Sequence, residues 1–548
     1  FYGCTGLRSV MLPENVSSVG FTAFGGCSGI ETVTLPFVGA GADGTGATHF
    51  GYLFGAASYS EQNRYLPQTL TQVTFTGDQL YDYAFYGCTT IAEVRLPNEL
   101  TRIPNYAFYG CTSLVSVEIP DNVDAIGSYA FSGCSGLETF VYRGDGRIDD
   151  RAFENCVKLA EIVIPNATSV YSSAFTGCAE LRIAEWSADA INTLPTSVEI
   201  LTVTKGALGF EALEGHTALK EVLLLEGVTE IGIYAFRDCA NLKTLELREG
   251  LISVGAYAFQ GSGLTSISLP DSVRDIRSQA FSGCAGLTEV LLSSDNPNYW
   301  GDGKCIIRTS DDLLIYAVPQ QRLVLPEGVK GIVSLDEEIG AVLQELSLPK
   351  SLEQMDASVF ANCPDLESIA VSEQNPNFFA EGGCLIQKGT KVVVLGDSGV
   401  TEIPVGSSAI GSYAFSGRNI ISIQISDEVQ DIGDFAFSSC SQLEEVTLPN
   451  NLLSVGDGVF SGCDNLNYTK QDNGNYLGSE ENPYLLLVSV DQTAETFEMQ
   501  GFTRFLDSSA FNSSVLKHII IRDNAGLVLN GNVFSNCRAL ESLVIGNG

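Results

Sequence analysis

The chain has 548 residues, 45% of them apolar and 17% charged, which is too long for one compact core and too apolar for a disordered polymer. Its 66 acidic against 29 basic residues give a formal charge of −37, a field that repels phosphate backbones and excludes nucleic acid as a partner. No apolar run approaches the ~20 residues of a membrane-spanning helix; the longest, 313–318 and 484–490, are strand-sized.

In chain order, Phe1 and Phe24 stand 23 residues apart, each followed three residues later by a cysteine, Cys4 and Cys27. The next such phenylalanine, Phe85, comes only after 61 residues. Between them the Gly-rich stretch 39–46, then Phe54 and 59–66, predict a modified coil over about 36–80 with a surface excursion. From Phe85 the text becomes regular: Phe85, Phe108, Phe131, Phe153 and Phe175 follow at steps of 22 or 23, with Cys88, Cys111, Cys134, Cys156 and Cys178 in the same relative place. Each unit then carries a segment such as Leu114-Val115-Ser116-Val117-Glu118-Ile119-Pro120. Apolar residues alternate there with the period of a strand buried on one face, and the proline ends the ladder.

That alternation sends Ser116 and Glu118 to the opposite face, together with Glu93 and Arg95, Thr139 and Val141, and Glu161 and Val163. The unit over about 182–230 is degenerate, with Leu213 in the Phe position and His216 in the Cys position. Regularity returns at Phe236, Phe259 and Phe281, whose outward strand positions are Thr244 and Glu246, Ser266 and Ser268, then Glu289 and Leu291. Longer variant coils are predicted over about 293–345 and 372–410, opening on Asn296-Pro297-Asn298-Tyr299 and Asn375-Pro376-Asn377-Phe378. Phe415, Phe437 and Phe460 follow, with Glu445 and Thr447 outward, then a further variant over about 467–508, then Phe511 and Phe534. Ser262, Arg418 and Ser514 stand where the cysteine is expected.

A coil of this size cannot bury its apolar side alone, so the fold class is a repeat solenoid whose core forms by stacking. Thirteen of the 15 cysteines share one repeat position and should form an inward column of free thiols, spread along an axis where a metal needs convergent ligands. Cys305 and Cys384 fall outside that column and read as buried strand residues. The three histidines, His49, His216 and His518, share no site spacing, and His216 is expected to fill the core slot left by cysteine. The sequence therefore predicts no enzyme, cofactor or metal centre. The outward strand positions are the expected binding surface. A second candidate is the ladder of Tyr83, Tyr106, Tyr129, Tyr234, Tyr257 and Tyr413, each two residues before its phenylalanine, which could stack on sugar rings.

The unit Ala-Phe-x-x-Cys-x-x-Leu-x-x-Ile-x-Ile-Pro resembles the BspA-like leucine-rich-repeat family over nearly the whole chain. The resemblance implies one continuous solenoid over 1–548, a curved right-handed coil with a parallel β-sheet on its concave face and short strands, turns and irregular segments on its convex face. It also implies a non-enzymatic extracellular or cell-surface protein that binds a protein ligand, host extracellular matrix or another cell, with signal and anchor outside this chain. A glycan-binding module and an inert spacer within a larger surface protein are the alternatives.

Overall fold

A computed structural model describes residues 1–512, 515–522, 526–528, 533–535 and 537–546; Ser514 lies outside them. The chain forms two compact units, Phe1–Leu287 and Thr288–Gly548, each a stack of coils built on parallel strands with little helix.

In the first unit the strands Thr32–Leu35, Gln72–Phe75, Glu93–Arg95, Ser116–Ile119, Thr139–Tyr142, Glu161–Ile164 and Ile183–Trp186 pair in that order, all parallel and in register. Val94, Val117, Phe140 and Ile162 point inward and are buried. A second, shorter ladder follows the first strand of these coils: Arg102–Ile103, Ala125–Ile126, Arg147–Ile148 and Ser169–Val170. The degenerate stretch merges the two ladders into the long strands Ile200–Leu208 and Glu221–Ile231, whose register shifts twice.

The turn side is a third ladder. The N–H groups of Tyr83, Phe85 and Gly87 donate to the carbonyls of Asn105, Ala107 and Tyr109 one coil further on, at 3.1, 2.7 and 2.6 Å. To aim three successive donors in one direction the backbone must alternate handedness, and the second residue on either side of the phenylalanine has positive φ: Tyr106 at 56° and Gly110 at 69° around Phe108. Glycine accepts that region without cost. The tyrosines do so against a steric penalty of about 1–2 kcal/mol, offset by their stacked rings.

Inside this turn Phe85, Phe108, Phe131, Phe153 and Phe175 are buried and stack ring on ring at 5.1–5.3 Å, within 7° of parallel. The modified coil keeps the column continuous. Phe54 and Phe50, on the 3-10 helix Phe50–Phe54, bridge Phe24 to Phe85. Beside the rings run Cys88, Cys111, Cys134, Cys156 and Cys178, all buried and free. Each of the last four donates its S–H to the phenylalanine carbonyl of the preceding coil: Cys111 to Phe85 at 3.2 Å, Cys134 to Phe108 at 3.0 Å, Cys156 to Phe131 and Cys178 to Phe153 at 3.2 Å. The position thus suits a small apolar side chain with a donor to offer. His216 matches it only in part: it is half-buried, its Nδ1 has no partner among the described residues, and burial pushes its pKa down.

The second unit holds parallel strands Arg322–Val324, Glu345–Leu348 and Ser368–Val371, and Ser422–Gln424 beside Glu445–Thr447. Its longer coils are not enlarged parallel turns but three-stranded antiparallel meanders. Tyr299–Trp300, Cys305–Arg308 and Leu313–Ala317 form one, Phe378–Glu381, Cys384–Gln387 and Val392–Gly396 a second, and Thr469–Gln471, Gly474–Leu477 and Leu486–Val490 a third. The Asn-Pro-Asn openings explain how they are fixed. Asn375 is buried, its Nδ2 donates to the carbonyls of Pro349 and Leu352 at 3.0 and 3.1 Å, and its Oδ1 accepts from the N–H groups of Asn377 and Phe378, both at 2.8 Å. Cys305 and Cys384 are buried at the start of the second strand of their meanders.

Where the second meander interrupts the column, Arg418 occupies the cysteine slot, wholly buried. Its Nε donates to the Gly396 carbonyl at 3.0 Å and its Nη1 to Phe360, Cys363 and Ser416 carbonyls at 2.7, 3.0 and 3.1 Å. The long side chain spans the gap that a thiol cannot.

Candidate binding face

The outward side chains of the first unit stand in two rows that cross the strands, neighbours within a row one strand spacing apart, about 4.8 Å. One row runs Gln72, Glu93, Ser116, Thr139, Glu161, Ile183, Ile200, Glu221, Thr244; the register carries the other through Val141, Val163, Glu185, Thr202, Leu223 and Glu246.

The first part of the face is polar. Arg95 Nε meets Glu93 Oε1 at 2.8 Å, and Gln72 Nε2 donates to Glu93 Oε2 at 3.2 Å. Glu93, Arg95, Ser116 and Glu118 come together as the walls of a depression of about 740 Å³ closed by Asn98, Asp121 and Asn122. The centre is different. Val141 and Val163 are direct register partners and half-buried, and Ile183 and Ile200, partners on the next two strands, are each 40% exposed. Leu223, half-buried, continues them.

The carboxylates of Glu161, Glu185 and Glu221 lie among these aliphatic side chains, and none of the three forms an ion pair among the described residues. At the margin Glu199 is held by Arg182 at 3.3 Å and by Lys220, whose hydrogen bond keeps its carboxyl below the usual range. Thr244 and Glu246 are exposed beyond it, Glu246 paired with Arg248 at 2.6 Å. Ser266 and Ser268 are exposed on Ser266–Leu269, and Glu289 and Glu445 are exposed on strands of the second unit. Val141 and Val163 are among the outward positions the sequence predicts; Ile183, Ile200 and Leu223 are not. Ile200 and Leu223 lie in the degenerate stretch, where no repeat cysteine fixes the phase of the strand, whereas Ile183 follows Cys178 at the regular spacing and was legible as an outward position.

The tyrosines form a double stack. Tyr59, Tyr83, Tyr106 and Tyr129 follow at 4.1, 5.0 and 4.8 Å, and Tyr86 and Tyr109 stand beside them 4.7 Å apart. Arg151 closes one end, its guanidinium over the Tyr129 ring at 5.6 Å and its Nη1 bonded to the Tyr129 hydroxyl at 2.6 Å. Both faces of Tyr83, Tyr106 and Tyr129 are therefore covered, and only ring edges and hydroxyls face outward. Tyr234 pairs with Tyr257 at 5.4 Å and carries Arg237 over its ring, while Tyr413 stacks on Phe435.

Among the described residues no group of three or more His, Cys, Asp or Glu side chains is placed to hold a metal ion, and no helix is long and apolar enough to cross a membrane.

Stacked parallel coils of about 23 residues with an inward leucine, phenylalanine and cysteine column define a leucine-rich-repeat solenoid. The family profile of the BspA type leucine rich repeat region matches in six copies, over residues 1–38, 63–184, 207–303, 338–381, 401–480 and 491–548. The chain belongs to that family, whose members are surface-type leucine-rich-repeat proteins that generally bind other proteins and are typically not enzymes. No curated protein matches it.

Among solved structures it is similar to a leucine-rich repeat protein from Eubacterium ventriosum, at 17% identity over 61% of this chain and 92% of that one, with a TM-score of 0.38. A leucine rich cell surface protein from Faecalibacterium prausnitzii is similar at 22% identity over 84% and 86%, with a TM-score of 0.25. The pneumococcal vaccine antigen PcpA is similar at 16% over 70% and 78%, with a TM-score of 0.28.

Proposed function

We propose that this chain is one continuous solenoid displayed outside or on the surface of a cell, and that the strand face of its first unit binds a protein partner, as an adhesin binds host matrix or another cell. The observation that carries the reading is the aliphatic group Val141, Val163, Ile183, Ile200 and Leu223, left in water at the centre of an otherwise polar sheet. Aliphatic side chains exposed on a sheet and interleaved with carboxylates offer apolar contact area and charge to the same partner. The unpaired carboxylates of Glu161, Glu185 and Glu221 favour a partner whose own rim is cationic. Stacking of sugar rings on the tyrosines has less support, because neighbouring rings and Arg151 cover the faces it would need.

The test is surface plasmon resonance of the full chain against immobilised fibronectin, fibrinogen, laminin and collagen. At least one should bind, and Ile183→Lys with Ile200→Lys should weaken it by tenfold or more while the melting transition stays in place, since both side chains are at the surface. Glu161→Lys with Glu185→Lys should slow association and flatten the salt dependence. Binding unchanged by both pairs removes the sheet face, and binding to none of the four leaves the spacer reading standing.

A further inference from the structure

On the turn side of the first unit the second ladder stops at Arg102–Ile103. The modified coil reaches that level as Asp78-Gln79-Leu80-Tyr81, which is not a strand, so among the described residues no strand pairs with the edge of Arg102–Ile103. Side chains surround the gap instead. One depression of about 540 Å³ is lined by Thr48, Gln79, Tyr81, Asp82, Arg102 and Asn105. Another of about 400 Å³ shares Gln79, Leu80 and Arg102 with it and adds Asp78 and Glu99.

Much of the polar capacity here is unspent. Among the described residues the Arg102 guanidinium has neither an ion pair nor a hydrogen bond, and the Gln79 amide has no partner. Asp82 accepts the Asn105 backbone N–H through Oδ1 at 3.0 Å, which leaves Oδ2 free. Asn105 accepts the Ser128 N–H through Oδ1 at 2.9 Å, which leaves its NH₂ group free. The two depressions are thus lined by a planar five-donor fork, two amide groups and the carboxylates of Asp78, Asp82 and Glu99.

Each ligand class meets this mixture differently. A cation faces Arg102, an anion faces three carboxylates, and an apolar group would strand donors and acceptors alike. Neutral vicinal hydroxyls donate and accept at once and satisfy both sets. Tyr83 lines the same cleft, and Tyr106 and Tyr129 stack on from it with ring centroids 5.0 and 4.8 Å apart, their outward edges advancing one coil at a time, the Tyr129 hydroxyl accepting from Arg151. We propose that the cleft between Gln79 and Arg102 binds a neutral oligosaccharide, anchored by Arg102, Asn105 and Asp82 and extending along the tyrosine hydroxyls. This site contacts ring edges, not ring faces, and is separate from the sheet face.

The test uses the full chain with neutral tetrasaccharides of glucose, mannose, galactose and N-acetylglucosamine, followed by saturation-transfer NMR and calorimetry. At least one should bind. Arg102→Ala and Asn105→Ala should each weaken it tenfold or more, and Ile183→Lys should leave it unchanged. Gln79→Glu, an exposed substitution of equal size that cannot disturb the core, should weaken it as well. The proposal is overturned if none of the four binds, if binding survives Arg102→Ala and Gln79→Glu, or if only sialylated or sulfated sugars bind.

Discussion

Replacing Cys134 by alanine removes a wholly buried sulfur whose S–H donates to the Phe108 carbonyl at 3.0 Å. The apolar loss is that of about one methylene, ~0.8 kcal/mol. The void, about 20 Å³, adds ~0.5 kcal/mol at about 24 cal/mol per Å³. The Phe108 carbonyl keeps its other donor, the Cys111 N–H at 3.1 Å, so the lost hydrogen bond falls toward the lower end of its ~0.5–1.5 kcal/mol range. Cys134→Ala should therefore cost about 2 kcal/mol. Serine at the same position separates donor from filler. If the thiol serves as a donor, Cys134→Ser retains the bond and loses less stability than Cys134→Ala. If it serves only as apolar volume, serine adds an unwelcome hydroxyl and loses more. Native-state hydrogen exchange is the suitable assay, because a stack of coils opens locally and a single unfolding transition averages over it. The Phe108 N–H, bonded to the Ala130 carbonyl at 2.8 Å, reports on the junction between the two coils. Faster exchange there in the serine variant than in the alanine variant would refute the donor role.

Tyr106, at a φ of 56°, should invert the usual ranking of small residues: Tyr106→Gly and Tyr106→Ala lose the same ring contacts, yet glycine escapes the left-handed penalty and should be the more stable by about 1 kcal/mol. Urea midpoints compare the two, and an alanine variant equal to or better than glycine would contradict the backbone argument. Asp397 is 5% exposed, and burial, against the Gly399 N–H that donates to its carboxylate and the weaker pull of Arg418, raises its pKa to about 6. Because the folded value lies above the unfolded one of 3.8, the folded state holds a proton that the unfolded state has lost between about pH 4 and about pH 6, and stability falls as pH rises through that window. Asp397→Asn should gain little near pH 4 and about 2–3 kcal/mol above pH 6; melting curves showing the same gain at both would overturn the assignment.

The repeat text exposed the Phe and Cys columns and the phase of the regular strands because a period of 22 or 23 and a period of two are both visible in one dimension. Strand direction is not. The runs 305–308 and 313–317 read as buried strands in either sense, and their antiparallel pairing depends on the turn between them. The positive φ of the tyrosines was equally hidden, since bulky residues there run against propensity and only the hydrogen bonds between coils reveal the reason. Arg418 looked like a simple departure at a cysteine position, and its role needs the carbonyls of Phe360 and Cys363, more than 50 positions earlier, to become apparent. The cleft at Arg102 went unseen for a similar reason. It belongs to a missing strand, and a sequence displays what is present.

The thiol bond has a direction: each coil lends a donor backward and offers an acceptor forward. A stretch of genetic text one period long, copied in tandem, therefore arrives with one of each, and every bond on either side of the copy can be remade without altering another residue. Lengthening such a chain is a neutral step until a meander intervenes, after which the same copying would leave Arg418 reaching for carbonyls that had moved away.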